Sequence, residues 1–317
     1  MARRIPNIDA IAQPLIGSTW ARRRRRAHRR LASKPVKGIR RFFDLVAPPE
    51  PTGTAPVFIL SAGWRSGSTL LQRLVSSGEG WLLWGEPYDR SMIIQGMAQS
   101  LAPFEEQWPR EKFIEQVDQK LVPEMWAATL YPPLESLRDS YRAALTTLFA
   151  EPAERVGAAH WGFKEVRFGL AEALLLKGLF PEARFLFIQR DIDAAYRSYA
   201  RFAKQMGWYD RWPDRGIFTP YSFGHTWGRL TSDFEVAVPE TGGVLVLYED
   251  LISGRTDLDA LEGYLGTSLD RSVLEKVVGS GKDRNAKREI TAFERMLLRR
   301  GQRAGARAAM RARPVKT

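Results

Sequence analysis

The sequence predicts an α/β fold, a parallel sheet of about five strands flanked by helices in a three-layer sandwich. Short runs with apolar cores recur along the chain: PVFIL (56–60), GWLLW (80–84), HWGFK (160–164), ARFLFIQ (183–189) and GVLVLYE (243–249). Segments with helical apolar spacing separate them. Strands with no polar face belong to a parallel sheet covered on both sides, which binds ligands beyond the carboxyl ends of its strands. At 317 residues the chain can bury one sizeable core, or one core with an added subdomain.

Charge is uneven. Of the net +12, residues 1–46 carry 13 basic and 2 acidic side chains, a surplus of 11. Residues 299–317 carry 7 basic and no acidic ones, so the middle is left at −6. The basic character therefore belongs to the two ends, and a nucleic-acid reading from overall charge would credit the wrong part of the molecule. Cysteine is absent, which removes disulfides, thiolate catalysis and Cys-based zinc sites, and fits a reducing compartment such as the cytoplasm. No apolar run approaches the roughly 18 to 20 residues of a membrane span. The opening MARRIPNIDAIAQPLIGSTWARRRRR shows neither a long apolar core nor a small-residue cleavage site, so no secretory signal is expected.

Residues 1–55 read as a basic arm and a Pro-rich linker. Arg22 to Arg26, His28, Arg29 and Arg30 form a self-repelling run, either a solvated arm or a contact for anionic lipid or a polyanionic acceptor. APPEPTGTAP (47–56) has the Pro density of a linker, placing the start of the folded domain near Pro56 and its end at 298, with a basic tail over 299–317. Within the domain, helices are expected over 69–77, 110–128, 134–150, 169–178, 192–206 and 226–238.

FILSAGWRSGSTLLQRLV (58–75) joins the first strand to the first helix through a small-residue loop. Such a joint aims free backbone N–H groups and the positive helix end at an anion. Gly67 permits close approach or positive φ, and Ser66, Ser68 and Thr69 offer hydroxyls. The nucleotide-loop pattern G-x-x-x-x-G-K-[ST] is half met, with Ala62 at its first Gly and Ser68 at its Lys, so the sandwich is P-loop NTPase-like without the magnesium–triphosphate machinery. Arg65 supplies charge from within the loop. An ordinary turn is the alternative reading. A second anchor follows in FLFIQRDIDAAYRSYARF (185–202): Arg190 at the end of a strand offers a forked cationic donor, and Ser198 a hydroxyl early in the next helix. A surface Arg190–Asp191 pair is the plain alternative, and Arg201 reads as surface. Glu86, in GWLLWGEPYDR (80–90), follows the second strand after an apolar run. Such surroundings raise a carboxyl pKa toward that of a general base, unless Glu86 is a surface turn residue before Pro87.

Taken together, WRSGST, the Arg190/Ser198 spacing, Glu86-Pro87 and the K-x-V-R of Lys164 to Arg167 resemble the sulfotransferase family that uses 3′-phosphoadenosine-5′-phosphosulfate (PAPS) as co-substrate, and within it the carbohydrate sulfotransferases. The resemblance covers roughly residues 56 to 290. It implies that Arg65, Ser66, Gly67, Ser68 and Thr69 surround the 5′-phosphosulfate and that Arg190 and Ser198 bind the 3′-phosphate. It implies Glu86 as catalytic base and Lys164 as a stabiliser of the moving sulfuryl group, with a salt bridge to an acid as the plainer role. The cytosolic branch uses a His after a Lys-Thr pair, and no His follows Lys164 here. His160 is thereby demoted, and His225 is kept as a fallback. LYEDL (247–251) matches a recurring family segment and is assigned a structural role. GSGKDRNAKRE (279–289) lies where the family has a loop over the nucleotide, making Lys282 and Arg284 candidate 3′-phosphate contacts or simply a solvated loop. Trp208, Tyr209, Trp212, Tyr221 and Phe223 form either an acceptor-stacking wall or ordinary packing.

The expected function is sulfuryl transfer from PAPS to an acceptor hydroxyl, on a carbohydrate or glycolipid, without a metal, with the basic ends as a contact to an anionic membrane. A P-loop kinase or NTPase is the alternative enzyme. A polyanion binder acting through its basic tails is the alternative from another class.

Overall fold

The computed structural model describes residues 35–51, 53–88, 91–106, 108–109, 119–124, 130–206, 217, 219–276 and 289–313, with only the backbone described at 119, 121 and 201–206. The chain enters the fold through a helix, α1 (Pro35–Leu45). It then alternates through β1 (Val57–Ser61), α2 (Ser68–Val75), β2 (Trp81–Trp84), α3 (Ile93–Ser100) and α4 (Leu134–Leu145). Next come α5 (Glu151–Arg155), β3 (His160–Glu165), α6 (Leu170–Leu179), β4 (Arg184–Gln189) and α7 (Ile192–Met206). The chain closes with α8 (Pro220–Thr241), β5 (Val244–Leu247), α9 (Tyr248–Ile252), α10 (Leu258–Leu265) and α11 (Ala292–Ala312).

The five strands form one parallel sheet in the order β2-β3-β1-β4-β5. Successive side chains of a strand point to opposite faces, and each face of this sheet has its own apolar layer. Phe58 and Leu60 join Phe163, Phe185, Phe187 and the helices α1, α3, α6 and α8 on one side. Val57 and Ile59 join Leu186, Ile188, Val246 and the helices α2 and α10 on the other. The predicted three-layer sandwich is therefore the observed one. The chain leaves β1 toward β2 at one edge and β4 toward β5 at the other, so the direction of winding reverses between β1 and β4. Open α/β sheets bind their ligands in the crevice at that reversal.

The ends of the domain depart from expectation. Residues 35–45 were assigned to the arm and linker, yet α1 buries Val36, Gly38, Ile39 and Phe42 along one face. Its Arg40 pairs with Glu240 of α8 at 2.5 Å. Lys37, Arg40 and Arg41, interleaved with that apolar stripe, concealed it within a basic stretch. The expected C-terminal tail is likewise helical to Ala312, because α11 packs against α8 through Gly224, Gly228, Gly301 and Gly305. A Cβ added at any of the four would overlap backbone of the opposite helix. Two smaller corrections follow from local chemistry. α8 begins at Pro220 rather than 226, because Thr219 caps it with its side chain and Pro220 fits the first helical position. The fifth strand ends at Leu247, and Tyr248 already opens a helix. Most of the helix expected over 110–128 lies outside the described residues, and 119–124 is a 3₁₀ segment. Among the described residues no helix is long and apolar enough to cross a membrane.

Candidate active site

Every strand points its carboxyl end the same way, so the loops after β2, β3, β1, β4 and β5 line one edge of the sheet in that spatial order. Glu86 follows β2, Lys164 lies near the end of β3, Arg65 to Thr69 follow β1, Arg190 follows β4 and Tyr248 follows β5. Adjacent strands lie about 4.8 Å apart, so residues scattered over more than 160 positions of sequence become neighbours.

The loop after β1 is shaped by its backbone. Gly63, Arg65 and Gly67 all have positive φ, at 82°, 65° and 90°. Left-handed residues alternating with ordinary ones turn successive N–H groups toward one concavity, an arrangement that binds anions. A left-handed Arg is uncommon, and holding it there costs conformational energy that the surrounding bonds offset. Gly67 then caps α2 without a side-chain bond, leaving the N–H groups of Ser68 and Thr69 without intrahelical acceptors at the positive helix end.

The hydroxyls in this loop divide their roles. Ser66 was expected to donate outward, but it is fully buried and its Oγ donates to the carbonyls of Ala62 and Gly63 at 3.0 and 3.1 Å. What it holds is the loop's shape. Ser68 is also buried, at 4 % exposure, whereas Thr69 is exposed.

The second anchor meets the first. Arg65 Nε donates to Ser198 Oγ on α7 at 2.9 Å, across 133 residues of sequence. Arg190 donates from a terminal nitrogen to the Arg65 carbonyl at 3.2 Å. Its guanidinium carbon lies 4.3 Å from the centroid of the Tyr248 ring, and its Nε is buried without a hydrogen-bond partner. Glu249 stands 3.9 Å away, at ion-pair distance, and also accepts the N–H of Asp191 at 3.2 Å. Arg65, from the loop after β1, thus meets Ser198 and Arg190, both from the segment after β4. Tyr248 and Glu249 were assigned a structural role in LYEDL. The contacts they make are with Arg190 and Asp191, which follows from their position at the carboxyl end of the last strand. Asp250 keeps a structural part, accepting from Arg255 at 2.8 Å.

On the other side of the loop, Lys164 Nζ donates to Glu86 Oε1 at 2.5 Å, both side chains largely enclosed at 11 % and 14 % exposure. The two roles weighed for Lys164 therefore meet in one contact, because its acid partner is the candidate base itself. Oε2 of Glu86 is buried and accepts no hydrogen bond among the described residues. Gln72 of α2 donates to the carbonyls of Leu83 and Trp84 at 2.9 and 3.1 Å, tying the strand that leads to Glu86 to the anion-binding helix. Next to Lys164, Glu165 grips Arg167 with both oxygens at 2.8 and 2.7 Å, and burial pushes the Glu165 carboxyl up against the opposing pull of Arg167.

These groups can bind two anionic centres side by side and present a carboxylate oxygen next to one of them. Comparison with known families decides what that arrangement belongs to. Residues 56–261 match the model of a sulfotransferase family. The chain belongs to the sulfotransferase family. The match runs from β1 into α10 and includes every residue of the site just described. No curated protein matches the chain significantly.

Solved structures similar to this sulfotransferase include the sulfotransferase domain of an olefin synthase from Synechococcus PCC 7002. It is 22% identical, covers 72% of this chain and 80% of its own, and has a TM-score of 0.38. A sulfotransferase from Alicyclobacillus acidocaldarius is 15% identical with coverages of 82% and 94% and a TM-score of 0.42. A sulfotransferase from Mycobacterium tuberculosis is 16% identical with coverages of 86% and 81% and a TM-score of 0.39. At these values the likenesses add no argument about individual residues.

The remaining candidates sort by position. His160 opens β3 at the sheet edge opposite the site and stacks on Trp81 at 4.6 Å, which removes it as a base. His225 lies within α8, its backbone against Gly301 and Gly305 and its ring beside Tyr221; burial and Arg229 lower its pKa. Phe223 is core, packed on Tyr196 and Tyr199, while Tyr221 is exposed. Trp208, Tyr209, Trp212, Lys282 and Arg284 lie outside the described residues.

Proposed function

We propose that this sulfotransferase moves the sulfuryl group of PAPS to an acceptor hydroxyl, with a carbohydrate or glycolipid as acceptor. The observation that carries the reading is the convergence of Arg65, Ser198 and Arg190. Two anion anchors more than a hundred residues apart in sequence touch each other, as binding one doubly phosphorylated nucleotide demands. The loop N–H groups and Arg65 serve the 5′-phosphosulfate, and Arg190 with Ser198 the 3′-phosphate. Arg190 Nε makes no hydrogen bond and only a long ion-pair contact, 3.9 Å, with Glu249, so binding a phosphate breaks no hydrogen bond there.

In the reaction the acceptor oxygen forms a bond to sulfur as the bond from sulfur to the 5′-phosphate oxygen breaks. The acceptor proton passes to Glu86, whose free Oε2 is oriented by the hold of Lys164 on Oε1. Charge growing on the departing phosphate meets Arg65 and the N-terminal amides of α2. Donors fixed in place before the reaction favour the transition state over the ground state. The Glu-Pro and K-x-V-R resemblance supports the carbohydrate acceptor.

Calorimetric titration with 3′-phosphoadenosine-5′-phosphate, the desulfated product, tests the donor, with ATP–magnesium as control. Micromolar binding of the product that ATP does not match supports the proposal. No binding to folded protein overturns it, and binding of ATP–magnesium in its place would favour the alternative reading of a kinase or NTPase. Incubation with radiolabelled PAPS and a panel of glycan, phenol and peptide acceptors tests the acceptor class.

A further inference from the structure

The last helix has two faces of opposite character. Leu298, Gly301, Gly305 and Ala309, at spacings of three and four, are buried. The glycines bring its backbone against that of α8, closer than any side chain would permit. The helix therefore cannot roll or stand off, and its outer face is presented in a fixed orientation. That outer face carries Arg300, Arg303, Arg307 and Arg311, all exposed. None of the four makes a hydrogen bond or ion pair with a described residue. From Arg295 to the end of the helix no acidic residue occurs. Interleaved with these arginines on the same face are Phe293, Met296 and Met310, at 65 %, 52 % and 53 % exposure.

Like charges one turn apart repel, and a helix face that is merely solvated mixes signs. Three large apolar side chains held in water add a second unfavourable term. One environment relieves both. At the surface of an anionic bilayer, arginines meet lipid phosphates while Phe and Met enter the boundary of the acyl chains. A sulfated polymer would engage the arginines but offer nothing to Phe293, Met296 and Met310, and a nucleic acid could stack a base on Phe293 but would leave the two methionines in water.

We infer that the outer face of α11 docks the enzyme on anionic lipid bilayers, lying flat in the headgroup region. The inference is independent of the donor and acceptor proposed above. It narrows the membrane contact expected of the two basic ends to the ordered outer face of α11, which reaches into 299–317, and takes it from the arm at residues 22–30.

The absence of cysteine permits a direct test in the full chain. Met296→Cys is labelled with an environment-sensitive thiol probe, and Ser136→Cys, exposed on α4, serves as the control position. Each variant is first shown to keep the wild-type circular dichroism and melting temperature. With phosphatidylcholine vesicles containing phosphatidylglycerol, the label at 296 should shift to the blue and brighten severalfold, while the label at 136 stays unchanged. Pure phosphatidylcholine should give no response. Combining Met296→Cys with Arg300→Glu, Arg303→Glu and Arg307→Glu should abolish the shift. Vesicle sedimentation with an unmoved probe at 296 would give the membrane contact to the N-terminal arm and overturn the inference. An equal probe response to heparin or RNA would make the face a polyanion site, and absence of any vesicle binding would also sink the inference.

Discussion

The guanidinium of Arg190 lies over the ring of Tyr248, 4.3 Å from carbon to centroid, and the same ring fills the space where a Cβ on Gly67 would stand. One aromatic side chain thus holds Arg190 and determines what the loop after β1 can tolerate. Cation–π contacts of this kind contribute on the order of 1 kcal/mol when partly desolvated, but the larger consequence here is geometric.

Gly67→Ala should therefore fail twice, through a positive φ of 90° and through overlap with Tyr248. The expected outcome is a loss of product-nucleotide affinity of tenfold or more together with a melting temperature lowered by about 2 to 4 °C, measured by calorimetry beside a thermal melt. Tyr248→Ala should relieve the overlap but free Arg190, so the double variant should not regain wild-type affinity.

Arg190→Ala should weaken binding of 3′-phosphoadenosine-5′-phosphate by at least tenfold, since a charge-assisted bond to phosphate contributes about 1.5 to 3 kcal/mol. Ser198→Ala should cost less, because it removes a neutral hydroxyl and the partner of Arg65 Nε. An unchanged isotherm for Arg190→Ala would remove this residue from the donor site.

Glu86→Gln keeps the shape of the side chain but accepts a proton poorly. Turnover should fall by about 10²- to 10⁴-fold while nucleotide affinity stays within a few-fold of wild type. Lys164→Met should lower turnover as well, by releasing the carboxylate it holds. Product-nucleotide calorimetry and radiolabel transfer from PAPS, measured side by side, separate these effects from misfolding.

Asp233 of α8 gives the fold a pH dependence of its own. Burial pushes its carboxyl up to about 6, opposed by Arg229, reinforced by Glu172, and opposed again by the Leu170 N–H and Arg313. Between the unfolded value of 3.8 and about 6 the folded state holds a proton that the unfolded chain has lost. This contribution is complete below 3.8 and is lost as pH rises through about 6, by up to about 3 kcal/mol. Asp233→Asn should flatten that part of the stability curve, read as urea midpoints at pH 4.5, 5.5 and 7.

The crossing of α8 and α11 sets a last expectation. Gly301→Ala places a methyl against the Tyr221 carbonyl and Gly228→Ala one against the Gln302 carbonyl. Overpacking against backbone should destabilise each variant by about 1 to 3 kcal/mol, despite the higher helix propensity of Ala. A raised melting temperature in either variant would show that the helices can separate without cost.

The sequence alone determined the sheet and the anion loop, because both are local chemistry. Short, mostly apolar runs separated by helical patterns point to parallel strands, and a Gly, Ser and Thr joint between strand and helix points to a loop with free N–H groups. Arg190 and Glu86 could be singled out because each lies within two residues of a strand's carboxyl end, and Ser198 because it follows on the next helix. Tertiary structure alone decided what depends on partners distant in sequence. Lys164 and Glu86 meet because β3 lies beside β2, and Ser66 turns inward because the loop curls over its hydroxyl. Tyr248 joins the site because β5 sits beside β4. The helices at both ends were concealed for the same reason. Basic residues dominate their composition, while a narrow stripe of Ile and Phe in α1, and of Gly in α11, acquires meaning only when another helix lies against it.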